Sequence, residues 1–273
     1  MAYKHIVTSG CSFSARPGMT WPYAVRDELN VTTHVMGCPS AGNTWIATSA
    51  IYKAQMLLEA GVPACDILMI ISWSSIDRLD VFVDSTTIEL DKDLHSVVNL
   101  PENSGANPAN FHEIELPTQS FTTQFPGYVL GSAGCTFKRP GINTFKRRLL
   151  RFYTDQGLAI TSYDNFLRLQ WFCQSKGITL VNHTFSDLMH YPASAWTGIP
   201  MVPTKDTMLP ISELSRLIDW NTWIFWKDTA GIYEYVVDNA LEFQADQMHP
   251  AESAYKHYVS NHLLPIMRLR GFL

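Results

Sequence analysis

Residues 5–14 read His5-Ile6-Val7-Thr8-Ser9-Gly10-Cys11-Ser12-Phe13-Ser14, and the fold follows from how this stretch begins and ends. Its first half is short, apolar and β-branched, the signature of a strand. Its second half opens at Gly10, the residue type best able to turn the chain sharply. A strand is therefore expected over residues 5–9, with Ser12 just past its carboxyl end. The alternation continues outward. Residues 21–29 place Trp21, Ala24, Val25 and Leu29 at helical spacing, after the turn-like Ala15-Arg16-Pro17-Gly18. Residues 31–36 read as a second strand stopped by Gly37-Cys38-Pro39, and residues 45–60 as a helix closed by Gly61. Ile67-Leu68-Met69-Ile70-Ile71 is apolar without interruption, as a central parallel strand covered on both faces must be. This order builds a parallel sheet with crossover helices, so the expected fold is α/β, a three-layer α/β/α sandwich. Such sheets carry their sites at the carboxyl ends of the strands.

Two stretches interrupt the pattern. Residues from about 84–141 dissolve into Asn, Pro, Gly, Ser and Thr, as in Pro101-Glu102-Asn103-Ser104-Gly105-Ala106-Asn107-Pro108. Residues from about 184–244 are rich in Trp, Tyr, Pro and Met; Trp220, Trp223, Phe225 and Trp226 there fit a local core better than a ligand cleft. Both read as insertions into a single domain spanning residues 1–273. Between them, residues 142–153 and 158–176 look helical, the second closing at Gly177 before a strand at 178–182. Residues 250–264 form an expected closing helix, with Pro250 in its first turn.

The 273 residues, 46% of them hydrophobic, suffice for one large domain with insertions. A formal net charge of -5 provides no global field to collect nucleic acid or anionic lipid. No segment approaches the roughly 18 apolar residues of a membrane span. Met1-Ala2-Tyr3-Lys4-His5 leads straight into a strand rather than a secretory signal, so a soluble, cytoplasmic protein is expected. Five cysteines without a C-x-x-C pair, and nine histidines without H-E-x-x-H, imply no metal. His257 and His262 read as surface residues. No glycine-rich phosphate cradle is present, so no cofactor is expected.

Chemistry enters at two places. Ser12 stands at a strand end, where its hydroxyl would be exposed, but a serine needs a nearby base before it acts as a nucleophile. Alone it reads as a turn or cap residue. Asp246-Gln247-Met248-His249-Pro250 supplies an acid and a base together. Imidazole can take the serine proton and return it to a leaving group, while a carboxylate fixes the imidazole tautomer and stabilises the imidazolium. Alone, this block reads as a helix cap.

Together, Gly10-Cys11-Ser12-Phe13-Ser14 and Asp246 to Pro250 resemble the SGNH (GDSL) hydrolase superfamily, whose nucleophile follows strand one and whose Asp-x-x-His-Pro block precedes the last helix. Gly42-Asn43, after the second strand, resembles the second block of that family. The resemblance implies a flavodoxin-like SGNH fold, a catalytic triad of Ser12, His249 and Asp246, and an acyl-enzyme esterase without cofactor. It implies an oxyanion hole built from the backbone N–H groups of Ser12 and Gly42. Its implied substrates are small-molecule or glycan esters, acetyl esters of carbohydrate among them. Two departures stand out: Cys11 replaces the usual aspartate, and Ser72-Trp73-Ser74-Ser75 lacks the asparagine donor of the third block. Ser74 falls where that asparagine would be, with Asn43 as a further candidate donor. Loss of one such donor typically costs about 100- to 1,000-fold in rate. Trp73 and Arg78 are the candidate substrate contacts, Arg78 through a substrate carboxylate, unless it pairs with Asp77 or Asp80. Two other readings remain. One is a binding or structural module that keeps the fold and little catalysis; blocks of this style also resemble SGNH-like bacteriophage proteins, which implies virion-associated glycan binding. The other makes Cys11 the nucleophile.

Overall fold

In the computed structural model, residues 3–15, 19–38, 41–76, 78–82, 128–132, 155–188, 212–246 and 248–273 are described. Six strands run through them: β1 His5–Ser9, β2 Thr32–Val35, β3 Ile67–Trp73, β4 Arg78–Phe82, β5 Tyr128–Ser132 and β6 Thr179–Thr184. The labelled helices are α1 Ser12–Ala15, α2 Trp21–Leu29, α3 Asn43–Glu59, α4 Asp155–Lys176, α5 Ile232–Asp238, α6 Glu252–Tyr258 and α7 Leu264–Leu269. A π-helical turn, Val259–Leu263, joins α6 to α7.

The central sheet has the order β2-β1-β3-β6, and every neighbouring pair is parallel. All seven residues of β3 are buried because the strand has a helical layer on each face. Side chains alternate across it. Ile67, Met69, Ile71 and Trp73 point into a core with Trp45, Ile46 and Ala50 of α3 and Phe166, Leu169 and Cys173 of α4. Leu68 and Ile70 point the other way, into a core with Trp21 and Val25 of α2, Ile232 and Val236 of α5, and Tyr255, Leu264 and Met267 near the carboxyl end. The protein is thus α/β, with a four-stranded parallel sheet between two helical layers.

Several expectations need correction. β3 continues two residues past Ile71 and carries Trp73 into the core, at 0% exposure. There its indole N–H donates to Asn182 Oδ1 at 2.8 Å and its ring meets Phe166 edge-on at 4.5 Å. Trp73 is therefore a core residue and not a substrate contact. Downstream, β4 and β5 form an antiparallel ribbon with Arg78 opposite Ser132 and Phe82 opposite Tyr128. The expected irregular stretch at 84–141 thus contains one strand; its remainder and the expected helix at 142–153 lie outside the described residues. In the second stretch, Trp223 is 2% exposed and packs between Trp73 and Phe225, so this aromatic group is core, as its composition implied. Pro250 does not open the last helix. It pairs with Phe243 in an isolated bridge, and α6 begins at Glu252. Among the described residues no helix is long and apolar enough to cross a membrane.

Candidate active site

The turn after β1 is held from beneath. The Ser14 N–H donates to Cys11 O at 2.8 Å, which closes the turn around Ser12. Trp21 Nε1 donates to Ser14 Oγ at 2.9 Å, and Thr20 Oγ1 donates to Ser14 O at 3.2 Å. A Cβ at Gly10 would overlap Ser14 Oγ and stand 3.0 Å from Ser72 O, so only glycine fits there. The result sorts two neighbours: Cys11 is fully buried in the core, while Ser12 stays partly exposed. Burial of its side chain removes Cys11 from consideration as the attacking group.

A loop from the other end of the chain meets this turn. Its base is fixed by the Gln244 N–H donating to His249 O at 2.7 Å and by Gln244 Nε2 donating to Pro250 O at 2.9 Å. Inside the loop, Asp246 Oδ1 accepts the N–H groups of Met248 at 3.0 Å and His249 at 2.9 Å. Asp246 Oδ2 lies 2.8 Å from His249 Nδ1, and His249 Nε2 lies 2.8 Å from Ser12 Oγ. Phe13 supports the imidazole, with ring centroids 5.0 Å apart. Partial burial alone would raise the Asp246 carboxyl. The two backbone N–H groups and the imidazole outweigh it and hold the carboxyl well below the usual carboxylate range. An ionised Asp246 places the proton of a neutral imidazole on Nδ1, which leaves the Nε2 lone pair facing the Ser12 hydroxyl.

The expected oxyanion donors are arranged differently. The Gly42 N–H is not free: it donates to Asp80 Oδ1 at 2.7 Å. Asn43 is buried and serves as a structural clamp, its Oδ1 accepting the Ser74 N–H at 2.9 Å and its Nδ2 reaching Ser74 O and Ser162 Oγ. The Ser74 N–H is therefore taken as well. Ser74 Oγ is buried and has no hydrogen-bond partner among the described residues. Arg78 enters only through its backbone in β4; its side chain and Asp77 lie outside the described residues. Asp80 was not among the expected site residues, although the polar and apolar alternation of Arg78-Leu79-Asp80-Val81-Phe82 is a strand signal.

His262 is not a surface residue. It is 7% exposed and packs against Trp226, Tyr235 and Tyr258, while the exposed His257 accepts or donates at Nδ1 to the Tyr235 hydroxyl, 2.8 Å away. Among the described residues no group of three or more His, Cys, Asp or Glu side chains could hold a metal ion. No family model matches the chain, and no curated protein matches it in sequence.

Proposed function

We propose that this chain is a serine hydrolase that cleaves O-acyl esters with Ser12 as nucleophile, His249 as general base and acid, and Asp246 as the group that orients and stabilises the imidazole. The observation that carries this reading is the continuous pair of 2.8 Å contacts from Asp246 through His249 to Ser12 Oγ. In the acylation step, Ser12 Oγ attacks the ester carbonyl as its proton passes to Nε2, and the alcohol then leaves with that proton. Water, deprotonated by the same nitrogen, hydrolyses the acyl-enzyme in the second half. The backbone N–H of Ser12 is one donor to the developing oxyanion.

An acetyl group on carbohydrate is the narrower substrate that the family resemblance implies. The aromatic cluster around Trp223 lends it no support, because those rings are packed against one another. The test is hydrolysis of p-nitrophenyl acetate by the wild type and Ser12→Ala. The substitution is expected to reduce kcat by at least about 1,000-fold; full retention of activity would sink the reading. A parallel assay of acetate release from acetylated oligosaccharides addresses the narrower claim.

One observation favours the second reading, a binding module with little catalysis, possessed of the fold but short of oxyanion donors: the N–H groups of Gly42 and Ser74 are both engaged within the chain. A well-folded protein whose Ser12 resists a fluorophosphonate even when the Gly42 N–H is released from its acceptor would decide for it.

A further inference from the structure

The amino end of α3 already holds a carboxylate, and it is the chain's own. Gly42 is the N-cap residue and has no side chain with which to cap. Asp80 supplies from β4 what a capping box normally supplies locally. Its Oδ1 accepts the Gly42 N–H and its Oδ2 accepts the Trp45 N–H, both at 2.7 Å. The fit is close, since a Cβ placed on Gly42 would come within 2.8 Å of Asp80 Oδ2.

This helix end lies beside the nucleophile turn. The Cys38 N–H donates to Gly10 O at 3.0 Å, and a Cβ on Gly37 would stand 2.9 Å from Ser14 Cβ. On its other side Cys38 joins the helix end, its O accepting the Ala41 N–H at 3.1 Å. Cys38 thus ties the Gly10 turn to the residue before Gly42, the helix cap that Asp80 holds.

We infer that Asp80 is a built-in inhibitor of the Ser12 site, its carboxylate holding the Gly42 N–H away from an oxyanion and setting negative charge beside the place where negative charge must develop. The inference rests on the hydrolase reading. Oxyanion stabilisation depends on donors that are preorganised and free to receive the new charge. A donor bound to a carboxylate is withdrawn from that role, and the carboxylate itself repels the oxyanion, so both effects slow acylation. Turnover then requires the Asp80 side chain to swing off Gly42. The same carboxylate satisfies two amino-terminal N–H groups of α3 and complements the positive end of its dipole, so it stabilises the fold while it restrains the site.

The test is the rate at which a fluorophosphonate labels Ser12, a step in which Oγ bonds to phosphorus, fluoride leaves and the hydroxyl proton passes to His249. Asp80→Asn removes the charge at nearly constant shape, and Asp80→Ala removes the acceptors as well. Both are expected to label at least about tenfold faster than the wild type, since one recovered donor is typically worth more than that, and to melt at lower temperature. Equal or slower labelling by a folded variant would overturn the inference. A second measurement needs no variant: in 15N-labelled wild type, phosphonylation of Ser12 should shift the Gly42 and Trp45 amide resonances as Asp80 is displaced. Unchanged resonances in a fully labelled protein would overturn the inference and leave the hydrolase reading standing. Failure of Ser12 to label in the wild type and in both variants would remove the hydrolase reading and the inference with it.

Discussion

Gly10 shapes the turn that carries Ser12 and Asp246 orients the His249 ring that reaches it, and each can be tested by a single atom or group. A methyl at Gly10 must displace Ser14 Oγ, which holds the Trp21 indole, or the Ser72 carbonyl of β3. Gly10→Ala should therefore cost about 1–3 kcal/mol, the usual range for overpacking a filled interior. It should also slow labelling of Ser12; an unchanged urea midpoint would show that the turn has slack. Asp246→Asn keeps the shape and loses the charge. It should lower kcat by about 1,000- to 10,000-fold, with little change in KM, because the amide favours the wrong imidazole tautomer. The depressed Asp246 carboxyl is ionised above the unfolded value near 3.9, and this contribution to stability is lost only as the pH falls through its lower folded value. An acid limb of the rate profile at ordinary assay pH consequently does not belong to Asp246.

At the level of elements, α3 shows what local sequence contains and what it omits. Its carboxyl end was readable: Gly61 and Gly177, with φ of +86° and +72°, follow α3 and α4 in the left-handed conformation that glycine adopts without strain. β1, α2, β2 and β3 were readable for a similar reason, since periodicity and turn residues are properties of neighbouring positions. The ribbon of β4 and β5 was not, because Phe82 and Tyr128 are paired across a long intervening segment, and pairing partners leave no mark on either strand. The three side chains that meet at Ser12, His249 and Asp246 were readable as candidates because their types stand in two short blocks. Occupation of the Gly42 N–H was not, because a backbone donor looks the same in every sequence and its acceptor lies 38 positions away. The Asn43 side chain joins α3 both to the loop after β3 and to α4. Asn43→Ala strands the buried Ser74 N–H and should cost about 1–3 kcal/mol in a denaturation experiment; a smaller effect would mean that the loop finds another acceptor.

For the molecule as a whole, the two cores differ in kind, and the difference predicts how the protein responds to acid. The core between β3 and α3/α4 is built mainly of apolar side chains. The opposite face encloses two histidines. His183 of β6 is fully buried, its ring nearly perpendicular to Trp21 with centroids 4.5 Å apart and the Tyr258 hydroxyl 3.3 Å from Nδ1. His262 packs behind it against Tyr258, Tyr235 and Trp226. Burial, and for His183 also the nearby His262, lowers these groups to about 3 and about 4. An unfolded imidazole titrates near 6.5, so between that value and the folded ones the unfolded chain binds more protons. Stability is then complete above about pH 6.5 and falls as the pH drops, by up to about 1.4 kcal/mol per histidine per unit. In the window from pH 6.5 down to 5 most carboxylates stay ionised, and the difference between the wild type and a variant that lacks one of these imidazoles isolates its share. Unfolding free energies measured by urea titration across that window should fall more steeply in the wild type than in His262→Phe, by up to about one proton. Since the α6 to α7 segment that contains His262 follows directly on the His249 loop, the same protonation should loosen the Ser12 contact, and the labelling rate should fall with stability. A wild-type slope no steeper than that of His262→Phe would place these imidazoles in water-accessible surroundings and contradict the packing described for this core.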